Sequence, residues 1–193
     1  MERASAAFCL VAEPPVGPDL SALDASVDKV VAEGSILARE AAACPGQQIS
    51  ARGMALAREV AALARAPRIK VAIALRPSVA LDLAVGHVLL SDIGLPDERL
   101  QAGLARAWRS PVPGTRERLP HRALEQAWLA ALAGVAAPPG VPVISHTAMA
   151  AGIDLLGVSR DDLYALTHAI SYATDSGRWP VAGDVVPAEV LVL

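Results

Sequence analysis

ISHTAMAAGIDLLGVSRDDLYALTHAISYATDSGRW, residues Ile144–Trp179, decides how this chain is read. It holds two of the four histidines and both tyrosines of the protein. At 100° per residue, Asp161, Tyr164, His168, Tyr172 and Asp175 fall within about 80° of one another on a helix. Leu163, Leu166 and Ile170 take the opposite face. Ser159 followed by Asp162 forms the acid variant of a capping box, so this helix is predicted from Ser159 to about Ser176. A shorter helix, capped by Ser145 and ending at Gly157, is predicted before it.

Working back from there, apolar residues keep helical spacing through most of the chain. Ser21 with Asp24 caps a helix running to Cys44, which Pro45-Gly46 stops. Ser50 opens a second helix, with Met54, Leu56, Val60, Leu63 and Ala64 facing inward, fading at Ala66-Pro67. The third runs from Pro77 to Ile93, with Gly94 just past its end. Leu95-Pro96-Asp97 starts a fourth, through Leu100, Leu104 and Trp108. After the proline-broken loop SPVPGTRERLP, a fifth runs from His121 to about Ala136 on a face of Leu124, Ala127, Trp128, Ala131 and Leu132. Alternation of the strand type is nearly absent. The expectation is an all-α array of about seven helices in antiparallel hairpins. Residues 1–20 form an irregular segment and 21–193 a single helical domain; the tail VLVL is a weak extended segment.

Composition narrows the function classes. Hydrophobic residues make up 53% of the 193, yet aromatics only 3%, so alanine carries much of the core and lets helices approach closely. A net charge of −3 and a pI near 5.8 provide no basic surface for nucleic acid or anionic membrane. Mean hydropathy is +0.40, but Pro138, Pro139, Gly140 and Pro142 break the uncharged run Gln126–Ile153, and Arg76, Pro77 and Asp82 interrupt Val71–Leu90. A cytoplasmic protein without membrane spans is expected. Cys9 and Cys44 lack the paired spacing of a zinc site or a disulfide framework. The first residues make a poor signal peptide.

The chemistry centres on His168. Tyr164 and Tyr172 each lie one turn away, where a phenol can hydrogen-bond an imidazole and the pair can shuttle protons near neutral pH. Asp175 lies two turns on, about 10.5 Å along the axis. His146 begins the preceding helix, where the dipole disfavours its cation and leaves a neutral base; Asp154 falls on roughly the same side. His168, Tyr164, Tyr172, Asp175 and His146 are therefore the candidate catalytic residues, with no organic cofactor. Against this stands core packing, in which tyrosine and histidine bond to one another or to a carbonyl. A metal site would draw on His87, His121, His146, His168, Asp92, Asp154 and Asp175, though no compact ligand spacing is present. The arginines Arg106, Arg109, Arg116, Arg118 and Arg122 make the loop before the fifth helix basic, suited to a carboxylate or phosphate. Neither a nucleophile elbow nor a phosphate-cradling glycine loop is present.

Three segments, AVGHVLLSDIGLPD around His87, LPHRALEQAWLAAL around His121 and DLYALTHAISYATDSG, resemble motifs of an uncharacterised helical domain family of actinobacteria, over roughly Leu81–Gly177. In the last, Leu166, Thr167, His168, Tyr172, Thr174, Asp175 and Gly177 match, while Ser176 replaces an aromatic residue. The resemblance implies a helical domain with a histidine site, from a family whose genes lie near natural-product or peptide-modification genes. Three functions follow as expectations. The first is an accessory enzyme of specialised biosynthesis, a cyclase, isomerase or lyase using His/Tyr acid–base catalysis on a small-molecule or peptide substrate. The second is a binding or scaffold protein for a peptide or biosynthetic partner, and the third a His/Asp metal-dependent enzyme. A homodimer is compatible with each.

Overall fold

A computed structural model describes residues 25–43, 51–110, 117–136, 144–151 and 156–180. Within them the chain is all-α, with eight α-helices, two 3-10 turns and no strand. The N-terminal irregular segment, the Ser21 cap, both cysteines, the 138–142 linker, Asp154 and the VLVL tail lie outside the described residues. Contacts divide the chain into two compact units, Met1–Pro113 and Gly114–Leu193, where sequence reading has one domain over 21–193.

The first unit contains α1 (Ala25–Ala43), α2 (Ala51–Ala64), α3 (Pro67–Leu75), a 3-10 turn (Pro77–Val79), α4 (Ala80–Asp92) and α5 (Glu98–Trp108). Its core is a seam of small residues. Ala57, Val60, Ala61 and Ala64 of α2 meet Val31 of α1 and Leu90 of α4. Met54, Leu56 and Leu63, expected inward, are only partly buried. The approach is close enough to require Gly86, where a Cβ would come within 2.7 Å of Val31 and 2.9 Å of Ala64. Helix α4 is buried on nearly all sides, from Ala80 and Leu81 to Leu89 and Leu90. It stops as predicted at Gly94, whose φ of +83° only glycine adopts freely. Helix α5 then starts on Asp97, which accepts from the Leu100 amide at 2.9 Å. That bond, with Lys70 3.1 Å away, holds the Asp97 carboxyl below its ordinary range.

Helix α3 was not anticipated. Pro67 occupies its first position, where the missing N–H costs nothing, and Ile69 and Ile73 bury one narrow stripe. The third predicted helix is also subdivided: Pro77 opens the 3-10 turn, and the α-helix begins at Ala80. No single described helix is long and apolar enough to cross a membrane; Pro67–Leu75 and Pro77–Asp92 reach that length only together, bent by 115°.

The second unit contains α6 (Pro120–Leu132), a 3-10 turn (Ile144–His146), α7 (Ala148–Ala151) and α8 (Arg160–Ala173). Leu124, Met149, Leu166 and Ala169 form its core. The sixth predicted helix is thus shorter than expected in its described part, starting after His146 rather than before it. Helix α6 packs more of its circumference than an amphipathic face would. Leu129, Ala130, Glu125 and Gln126 are buried, whereas Ala131, placed inward by the periodicity, is exposed.

Candidate functional site

The capping box of α8 forms as predicted. Ser159 Oγ accepts from the Asp162 amide at 3.2 Å, and the Asp162 carboxylate accepts from the Ser159 amide at 2.9 Å. Those bonds satisfy two otherwise unpaired amides. The Ser159 hydroxyl also donates to the Asp162 carboxylate at 2.6 Å, and that bond first, then the one from the Ser159 amide, holds the carboxyl below its usual range. The cap fixes where the helix starts, and so which side chains share a face four and eight residues on. Asp161 is exposed in that first turn.

Tyr164 and His168 stack, with ring centroids 3.8 Å apart and planes 29° from parallel. His168 Nδ1 lies 2.9 Å from the Tyr164 carbonyl oxygen. A carbonyl only accepts, so Nδ1 carries the proton and, in the neutral ring, Nε2 is left as the basic nitrogen. Tyr164 is 52% exposed and His168 half-buried, so the stack opens to solvent. Behind it stands His121 of α6, buried, edge-on to Tyr164 at 5.9 Å and to His168 at 6.3 Å. Burial first, then Arg122 and His168, push the His121 imidazolium below its ordinary pKa, so its ring is neutral at pH 7. Among the described residues no hydrogen bond engages its ring nitrogens.

Tyr172 is held differently. Its ring lies 5.8 Å from His168 and 5.3 Å from Trp128. Burial, followed by the charge of Glu125 and a hydrogen bond to it, pushes the phenol far above its usual pKa. Glu125 in turn pairs with Arg122. Asp175 is also committed: it is 3% exposed, accepts from Trp128 Nε1 at 2.7 Å and pairs with Arg178 at 3.3 Å. Its backbone has a φ of +50°, followed by Ser176 at +58° and Gly177 at +85°. Ser171, Thr174 and Asp175 side chains or carbonyls tie this left-handed run down; Thr174 Oγ1, for example, accepts from the Gly177 amide at 2.8 Å.

The contacts follow one order on both helices. His121 meets Tyr164 and His168, Glu125 meets Tyr172, and Trp128 meets Tyr172 and Asp175. Ascending numbers pair with ascending numbers, so α6 and α8 run side by side in the same direction, with α7 between them in sequence.

Of the five candidate residues, then, the structure brings Tyr164, His168 and Tyr172 into one row of rings. Asp175 caps the row from the far end, bonded to Trp128 and not to His168. His146 is exposed on the 3-10 turn and takes no part in the ring contacts. Leu163 and Ile170, placed against the core by periodicity, are exposed at 49% and 37%, while Ala169 is fully buried. Glu125 was missed. A stripe at 121, 125 and 128 on α6 has the helical spacing that matches Tyr164, His168, Tyr172 and Asp175, and that spacing was the available signal. Among the described residues no three His, Cys, Asp or Glu side chains gather to hold a metal ion.

No curated protein and no solved structure matches the chain. A family profile does, over residues 6–191, and so spans both units. The chain therefore belongs to the family named for domain of unknown function DUF6895.

Proposed function

We propose that the chain is a binding protein whose second unit recognises a planar or aromatic group of a peptide or small-molecule partner. The observation that carries this reading is the stacked Tyr164–His168 pair, one face packed and the phenol half exposed. An open π-surface gains from offset stacking on a further ring, about 0.5–1.5 kcal/mol beyond the area buried. Further along the row, Tyr172 and Asp175 are engaged in holding α8 to Glu125 and Trp128 of α6. Tyr172 has given its hydrogen bond to Glu125, and a phenol with a strongly raised pKa is a poor acid near neutral pH. The resemblance of its motifs to a family with genes beside those for natural products favours a biosynthetic enzyme or its peptide substrate in the cytoplasm as the partner.

The test is NMR of ring-labelled protein titrated with aromatic amino-acid amides and short aromatic peptides. The expected result is saturable perturbation of the Tyr164 and His168 ring signals, lost in Tyr164→Ala with an unchanged thermal midpoint. If no probe moves either ring, the reading fails.

A second reading is supported by His121: a neutral imidazole, free of hydrogen bonds among the described residues, beside a second imidazole and a phenol. On that reading His121 takes a proton from a bound substrate and Tyr164 donates one, as in a cyclase, isomerase or lyase without organic cofactor. Turnover of a bound molecule that His121→Gln abolishes while binding persists selects it; binding without turnover selects the first.

A further inference from the structure

The first unit contains a cleft of about 400 Å³ between α3 and α5, within the range of sites that take metabolite-sized ligands. Its floor is apolar, made by Ile73, Pro77 and Leu100. Its rim is cationic, with Lys70 of α3 and Arg99 and Arg106 of α5, and among the described residues no carboxylate lines it. Lys70 is neutralised by Asp97 at 3.1 Å. Arg99 and Arg106 are exposed, and among the described residues neither makes an ion pair. They are seven residues apart on one helix, so their Cα atoms stand about 10.5 Å apart along the axis on one side of the opening, a gap two long side chains can close around one head group.

Between them stands Gly103. Glycine inside a helix is less stable than alanine by roughly 1 kcal/mol, so its presence calls for a steric or conformational reason. Neither comes from the protein. Its φ is ordinary, and a Cβ built there meets nothing within 4 Å, in contrast to Gly86, where neighbouring side chains leave no room. The missing side chain leaves the cleft wall open at the point the two arginines flank.

We infer that this cleft binds a small amphipathic anion, its carboxylate or phosphate head held by Arg99 and Arg106 and its apolar body on Ile73, Pro77 and Leu100 past Gly103. Guanidinium groups suit both heads, because their paired N–H donors match two anionic oxygens. The apolar floor excludes a bare inorganic ion as the preferred occupant, since such an ion would gain nothing from it. This site is independent of the ring row of the second unit.

The experiment is calorimetric titration of the full chain with octanoate, octyl phosphate, octanol and inorganic phosphate, each below its aggregation limit. Octanoate or octyl phosphate should bind saturably and at least ~10-fold more tightly than octanol and than inorganic phosphate, a difference of about 1.4 kcal/mol or more. The tighter of the two names the head group. Arg99→Ala/Arg106→Ala should weaken that binding roughly tenfold or more, the same margin. Gly103→Leu should abolish it by obstructing the cleft between the two arginines, with the thermal midpoint unchanged or raised. Equal binding of octanol and octanoate, inorganic phosphate matching octyl phosphate, or full affinity in a folded Gly103→Leu variant would each overturn the assignment.

Discussion

Replacing Trp128 by Phe tests whether the row of rings is held by its polar links. The indole N–H donates to Asp175 at 2.7 Å, and both side chains are buried. A hydrogen bond to a charged group is worth about 1.5–3 kcal/mol, and removing the donor leaves the carboxylate buried with one acceptor position unfilled. Phenylalanine keeps most of the ring that packs on Tyr172, so the apolar loss is limited to the pyrrole edge, about 1 kcal/mol. Arg178, another partner of Asp175, is longer at 3.3 Å and partly exposed, so it compensates little. The sum is about 3 kcal/mol, which for a chain of this size lowers the thermal midpoint by about 6–12 °C.

Urea denaturation followed by circular dichroism gives the free energy. The same measurement on Asp175→Asn and on the double variant completes a cycle, whose coupling should be about 1–3 kcal/mol if the two groups stabilise one another directly. The turn at Asp175, Ser176 and Gly177 should also become more labile in hydrogen exchange. Two consecutive non-glycine residues at positive φ persist only where their surroundings hold them there. A Trp128→Phe loss under about 0.5 kcal/mol, or strict additivity in the cycle, refutes the claim that this bond ties α8 to α6.

His87 and His121 both have pKa values below that of an unfolded histidine, so the unfolded chain binds more protons below about pH 6.5 and stability falls as pH drops from there toward the folded values. His121→Gln should flatten that acid slope by up to one proton; an unaltered slope removes His121 as its source. Tyr172 has the opposite sign on the alkaline side. Its folded phenol keeps its proton where an unfolded tyrosine loses it near about pH 10, so stability is lost as pH rises through 10, and Tyr172→Phe should lessen that loss in urea titrations at high pH. The two helix glycines should part company. Gly86→Ala forces a methyl to within 2.7 Å of Val31 and should cost about 1–3 kcal/mol, whereas Gly103→Ala, in open space, should gain about 0.5–1 kcal/mol. Thermal melts that move both variants in the same direction contradict this. Ser159→Ala removes the side-chain acceptor of the capping box and should cost about 0.5–2 kcal/mol, read by the same melts.

What was legible in the sequence depended on where the signal is local. Caps and stops are local: Ser159 with Asp162, Asp97, Pro77 and Gly94 each act on amides or carbonyls within four residues, and each element end they mark is where the spacing placed it, within a turn. Helix α3 was hidden because Ile69, Val71, Ile73 and Leu75 recur every second residue, which is no helical stripe. The fold buries only Ile69 and Ile73, one turn apart, and leaves Val71 and Leu75 exposed. Nothing within nine residues says which of four apolar side chains has a neighbour; α4 and α5, which both pack on this helix, decide that. The same limit applies to α2, where the larger Leu56 and Leu63 sit at the margin and alanines form the seam, because Gly86 brings the backbones too near for anything bigger.

The site shows the same division. Periodicity alone put Tyr164, His168, Tyr172 and Asp175 on one face, and that part depends only on helix geometry. It could not say what the face would meet. Had α6 presented leucines there, Tyr172 and Asp175 would have been costly to bury and would have turned to solvent. Instead α6 offers His121, Glu125 and Trp128 at matching intervals, so each polar group of α8 finds a complement only if the two helices run in the same direction and in this register. A slip by one turn would set Glu125 near His168 and leave Asp175 without its indole donor. The polar residues that looked catalytic from one helix alone therefore also fix the register of two. Besides His168, whose Nε2 is open, the imidazole without a hydrogen bond among the described residues is His121, which the stripe on α8 could not reveal because it belongs to the other helix of the pair.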